Sequence, residues 1–113
     1  MAEPDATASQ VVVLPGHIDV TNAERVAVQL MAAVGGDARV VVADLGATGF
    51  CDSAGVQVLV QVSRRANARD VEVRLAAARE PVLRILELMG VTRLLRLYTS
   101  VPEALAGEGV PGA

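Results

Sequence analysis

The run Arg39-Val40-Val41-Val42-Ala43-Asp44-Leu45 constrains this chain more than any other segment. Its apolar residues sit side by side rather than alternating with polar ones. A strand built from it has to be covered on both faces, as the central strands of helix-flanked sheets are. Beyond it lies Gly49-Phe50-Cys51-Asp52-Ser53-Ala54-Gly55, which leads into a further apolar segment. Asp52 and Ser53 are suited to start a helix, because their side-chain oxygens accept hydrogen bonds from unpaired backbone N–H groups. A hydroxyl at that end lies where a helix carries roughly +0.5 of a charge, a setting that receives an attached anion well. Ser53 is therefore a candidate switch residue, with simple helix capping as its plainer role.

Strands and helices alternate along the rest of the chain. Val11-Val12-Val13-Leu14 reads as a strand ended by Pro15-Gly16. Thr21-x-x-Glu24 has the spacing of a capping box, in which hydroxyl and carboxylate each bond the other's backbone N–H. The helix predicted after it places Ala23, Val26, Ala27, Leu30, Met31 and Val34 on one face, and Gly35-Gly36 stops it. Val71, Val73 and Leu75 alternate with Glu72 and Arg74 in a further strand. Glu80-Pro81 opens a helix with proline at its first position. Val82, Leu83, Ile85, Leu86 and Met89 fill its inner side, and Gly90 ends it. Leu94 to Tyr98 is a short last strand, and Ser100-x-x-Glu103 caps a small helix through Ala106. One segment conflicts with this order. Val56-Gln57-Val58-Leu59-Val60-Gln61-Val62 alternates and is rich in β-branched residues, so local rules favour a strand.

Several function classes are disfavoured by composition. The 113 residues suit one domain able to bury about two-thirds of its unfolded surface. Hydrophobic content is 52%, yet no apolar run approaches the ~18 residues of a membrane-spanning helix. Met1-Ala2-Glu3-Pro4-Asp5 is acidic and lacks the basic-then-apolar pattern of a secretory leader, so a cytoplasmic protein is expected. Net charge is −3, and nucleic acid would demand clustered cations on one face. One cysteine cannot form an internal disulfide, and Cys51 has no neighbouring cation in sequence to make it a redox sensor. It reads as a small buried side chain. Residues 1–9 read as a flexible arm and 107–113 as a disordered tail, around a domain of residues 10–106.

Three stretches also carry a family resemblance. Phe50-x-Asp52-Ser53-Ala54-Gly55 resembles the F-x-D-S-[SA]-G signature of STAS domains of the anti-sigma factor antagonist family. Gly16-His17-Ile18-Asp19 is similar to that family's G-E-L-D turn, and Leu86-Glu87-Leu88-Met89-Gly90-Val91 to its late L-x-x-x-G-[LV] segment. The likeness spans residues 10 to 106. It implies an α/β fold with a small mixed sheet of four to five strands and helices packed mainly on one side. It also implies helix, rather than strand, from residue 53 to about 67.

The same resemblance implies a switch without catalysis. In such proteins the unmodified antagonist binds an anti-sigma factor that is itself a histidine-kinase-like ATPase acting on serine, and the sigma factor is released. Phosphorylation of the serine aligned with Ser53 ends the binding, and a PP2C-type phosphatase restores it. A phosphoserine adds about −1.5 to −2 charges beside Asp52 and the Asp19 turn. The expected contact face takes in Gly16, His17, Asp19, Thr21, Asp52, Ala54, Gly55 and Gln57. Two residues depart from the family pattern. His17 stands where an acid is usual, either as a pH-responsive group near its ordinary pKa of about 6.5 or as an exposed turn residue without a role. Gln57 replaces a small residue. A partner-binding STAS subunit without phosphorylation, in a transport or sensory complex, is the rival reading.

Enzymatic readings are weaker. His17, Asp19, Cys51 and Ser53 superficially resemble a nucleophilic set, but there is no G-x-S-x-G elbow. One His and one Cys do not make a tetrahedral metal site, and no glycine-rich phosphate loop is present, so neither metal nor cofactor is expected.

Overall fold

The computed structural model describes residues 8–107. Four strands, β1 (Ser9–Val13), β3 (Val40–Asp44), β5 (Glu72–Ala76) and β6 (Arg96–Tyr98), form one sheet in the order β1-β3-β5-β6. Two short strands, β2 (His17–Ile18) and β4 (Phe50–Cys51), pair separately. Four helices complete the α/β fold: α1 (Ala23–Val34), α2 (Ser53–Asn67), α3 (Glu80–Leu88) and α4 (Val101–Ala106). The expected class and sheet size hold. Every pairing among the described strands is parallel, however, so no mixed sheet is seen in residues 8–107.

Strand order explains where the helices lie. Each crossover steps to the next strand in the same direction, and parallel crossovers share one hand, so α1, α2 and α3 fall on one face of the sheet. Val26 and Leu30 of α1, Val56 and Leu59 of α2, and Val82 and Leu86 of α3 share one buried cluster with Val41, Ala43, Val73 and Leu75. Alternate residues of the same strands face the other way. Val42, Ala76 and Tyr98 form a second cluster with Ala104 of α4. The run around Val41 and Val42 is covered on both faces, which is why it does not alternate in polarity.

Local signals account for most boundaries. Asp52 caps α2 through a 3.0 Å bond from the Gly55 N–H, and Ser100 caps α4 from the Glu103 N–H at 3.2 Å. Gly90, with φ of 70°, follows the end of α3 in the left-handed conformation that only glycine adopts freely.

Other expectations need correction. The Thr21–Glu24 capping box does not form: α1 starts at Ala23 behind Asn22, and the Thr21 hydroxyl is bonded to Asp19 instead. Pro81 is the second residue of α3, not the first, and Arg79 holds the cap position. Thr92–Leu94 is a 3-10 turn, which delays the last strand to Arg96. Two residues of the expected arm are part of the sheet region, because Ser9 belongs to β1 and the Ala8 carbonyl accepts from Val40 N–H at 3.1 Å. Gly107 is the C-cap of α4. The remainder of the expected arm and tail, residues 1–7 and 108–113, lies outside the described residues.

Candidate functional site

At the carboxyl ends of β1 and β3 the two chains stay together instead of parting. Leu14 N–H donates to Asp44 O at 3.0 Å, the buried Thr48 hydroxyl to Pro15 O at 2.7 Å, and Gly49 N–H to Gly16 O at 2.8 Å. His17 then pairs with Phe50 and Ile18 with Cys51. Asp52 N–H closes the ladder on Ile18 O at 3.1 Å. The turn after residue 16 and the start of α2 are thereby fixed side by side, although the sequence separates them by a helix and a strand.

Asp52 joins the two from the other direction. While its Oδ1 caps α2, its Oδ2 accepts from the Val20 N–H at 3.3 Å. Ser53 is thus relieved of the capping role, and it is exposed at the first position of α2. Its hydroxyl makes no hydrogen bond among the described residues. Gln57, one turn along, is exposed on the same side of the helix.

The turn opposite is tightly self-bonded. Asp19 accepts from both the hydroxyl and the backbone N–H of Thr21, and these bonds hold its carboxyl below the usual range, with His17 adding to the effect. His17 Nε2 lies 3.9 Å from Asp19 Oδ2. Asn22 spans the turn, accepting from Asp19 N–H and donating to His17 O, each at 2.9 Å.

Each residue expected at the contact face can now be placed. Gly16, His17, Thr21, Ser53 and Gln57 are exposed, and Asp19, Asp52 and Ala54 are half-buried. Gly55 is buried and contributes by its smallness. A Cβ there would lie 2.7 Å from Cys51 Sγ, 2.8 Å from Ile18 O and 2.9 Å from Ile18 Cγ2. Only glycine lets α2 sit so close to β2. Two exposed apolar side chains beside the site, Val20 (75% exposed) and Phe50 (55%), were not among the residues expected at the contact face, although Phe50 opens the matched signature. Phe50, the chain's one phenylalanine, was a signal that could have found the second. Asn22 was also missed, although its residue type favours helix starts.

The chemistry on offer is limited. Cys51 is buried, and burial, with the Asp52 charge adding, pushes its thiol up to about 11. The thiolate that a nucleophile or redox sensor needs is scarce at neutral pH. No hydrogen bond joins Ser53 to His17, and no group of three or more metal-ligating side chains occurs among the described residues. What the site presents is an esterifiable hydroxyl at a helix start, two carboxylates, and an exposed apolar rim.

The family profile of the STAS domain matches residues 3–104. The chain belongs to the STAS domain family. No curated protein matches the chain in sequence. Among solved structures, this STAS domain is similar to an anti-sigma factor antagonist from Mycobacterium paratuberculosis, at 24% identity and a TM-score of 0.79, covering 95% of this chain and 97% of that one. It is similar also to the anti-sigma factor antagonist SpoIIAA in its unphosphorylated form, at 19% identity and a TM-score of 0.72, with 88% of each chain covered. A third likeness is to the murine solute carrier 26 family member A9 anion transporter, at 17% identity and a TM-score of 0.78. It covers 88% of this chain but 17% of the transporter. Such identities speak for the fold alone. Among the described residues, no helix of this STAS domain is long and apolar enough to cross a membrane.

Proposed function

We propose that this STAS domain is a cytoplasmic anti-sigma factor antagonist that acts by binding and not by catalysis. Its unphosphorylated form binds an anti-sigma factor serine kinase of the histidine-kinase-like ATPase fold, and the sigma factor is freed. Phosphorylation of Ser53 ends the binding, and a PP2C-type phosphatase reverses it. The observation that carries this reading is the division of labour between neighbours. Asp52 holds the helix cap, while the Ser53 hydroxyl stands exposed and without a hydrogen bond among the described residues. The likeness to SpoIIAA in its unphosphorylated form supports it.

The consequence of phosphorylation follows from charge. The first turn of α2 receives about −1.5 to −2 charges with its free N–H groups. Asp52 and Asp19 flank that position, so a partner face fitted to a neutral hydroxyl meets repulsion and added bulk. Incubation with a cognate anti-sigma kinase and ATP, followed by peptide mass spectrometry, is expected to yield one phosphate on Ser53 and none in Ser53→Ala. A phosphate on another residue, or none with any partner, contradicts the proposal.

The fold shared with the murine anion transporter supports a second reading, a non-switching STAS subunit of a transport or sensory complex. Affinity purification separates the two. A co-purifying transport component without a serine kinase favours the second, and a kinase favours the first.

A further inference from the structure

A groove of about 380 Å³ opens at the end of the sheet opposite Ser53. One wall is the last part of α2, with Ser63, Arg64 and Asn67; the other is the turn and strand start at Arg93 and Arg96. The stretch of α2 from Ser53 to Ser63, roughly 15 Å of helix, separates it from the candidate switch. The volume is within the range of small-molecule sites.

Charge in this groove is unbalanced. Three guanidinium groups, those of Arg64, Arg93 and Arg96, face a single carboxylate, Glu72. That carboxylate is already shared, with Oε2 lying 2.9 Å from Arg96 Nε and 3.2 Å from Arg74 Nε. Arg64 and Arg93 have no carboxylate partner among the described residues, in a chain whose net charge is −3. The C-terminal end of α2 carries partial negative charge, but several of its carbonyls are engaged within the chain, and the arginine charges outweigh it. The Arg64, Ala66 and Asn67 carbonyls are taken by the N–H groups of Ala68, Arg69, Asp70 and Val71 at 2.9 to 3.1 Å. Ser63, in the same wall, has its Oγ enclosed without a hydrogen-bond partner among the described residues, so its bonding capacity is unused. Beneath the rim the lining is apolar, with Val71, Val73 and Leu95 nearly buried.

We infer that this groove binds a small phosphomonoester. The planar fork of arginine matches pairs of oxyanion oxygens, and two unpaired cations suit a dianion better than a monoanion. Arg64 and Arg93 hold the phosphate, and Val71, Val73 and Leu95 receive a compact apolar body. The site is independent of the Ser53 switch.

Phenyl phosphate, benzoate and inorganic phosphate are titrated separately into the isotopically labelled full chain, with backbone amide shifts as readout. Saturable shifts at Ser63, Asn67 and Arg93, with phenyl phosphate binding more tightly than the other two, are expected. Arg64→Gln and Arg93→Gln are each expected to weaken that binding by about tenfold, whereas Ser53→Ala leaves it unchanged. Both arginines are exposed, and thermal melts of the variants verify that folding is retained. No saturable shift in the groove, equal affinity in the arginine variants, or benzoate or inorganic phosphate binding as tightly as phenyl phosphate would overturn the assignment.

Discussion

Asp52 Oδ2 accepts a hydrogen bond from the backbone N–H of Val20 at 3.3 Å, across 32 residues of sequence. The same carboxylate caps α2 through Gly55 N–H, so one side chain sets both the helix start and the position of the turn that faces it. Replacing it by alanine removes both bonds. Asp52→Ala is expected to cost about 1–2 kcal/mol of stability, and Asp52→Asn less, because asparagine keeps the cap to Gly55 N–H although its amide nitrogen cannot accept from Val20 N–H. Urea unfolding followed by circular dichroism measures the difference; equal midpoints for the two variants would contradict this role.

Gly55 allows the close approach of α2 to β2. A methyl group there meets Cys51 Sγ, Ile18 O and Ile18 Cγ2, all within 3.0 Å, and all three atoms belong to residues of the β2–β4 ribbon. Gly55→Ala is therefore expected to destabilise the domain by about 1–3 kcal/mol, as overpacking does, despite alanine's higher helix propensity. A variant as stable as the parent in denaturant would show that α2 can shift freely.

Cys51 is expected to resist alkylation in the folded state at neutral pH. Its thiol is raised from an ordinary 9.0 to about 11, chiefly by burial. The folded state thus favours the protonated form, and the stability this contributes is present below pH 9 and lost as pH rises through about 11. Iodoacetamide labelling with and without urea, read by mass, tests the first point. Rapid labelling of native protein would contradict it.

Asp19 behaves in the opposite sense. The hydroxyl and N–H of Thr21 stabilise its charged form, so its contribution is present above the ordinary value of 3.8 and fades at lower pH. Thr21→Val removes the hydroxyl donor, and the Asp19 carboxyl is expected to titrate at higher pH than in the parent. Carbon-detected NMR titration of the side chain reads this directly; an unchanged midpoint would show that the hydroxyl is not what holds it down.

Some of this architecture was legible in the sequence and some was not, for identifiable reasons. The 39–45 run announced a covered central strand because Val40 to Ala43 are apolar without a break. The 56–62 segment looked like a strand because its apolar residues alternate. Its polar residues told the truth: Gln57, Gln61, Arg64 and Arg65 recur at helical spacing and are exposed on α2. Apolar residues fill the rest of the helix because α2 packs against both α1 and the sheet. The Thr21 box failed because a nearer acceptor, Asp19, captured the hydroxyl. The Val20–Asp52 bond could not be read at all, since it depends on the β2–β4 ladder bringing distant loops together.

The central claim is that charge added at Ser53 ejects a partner that tolerates the bare hydroxyl. The direct measurement is the affinity of the phosphorylated protein, Ser53→Asp and Ser53→Ala for the same anti-sigma kinase. The account predicts parent-like binding for Ser53→Ala, weaker binding for Ser53→Asp, and a loss of about a hundredfold or more on phosphorylation, equivalent to ~3 kcal/mol. Equal affinity of all three forms would contradict it.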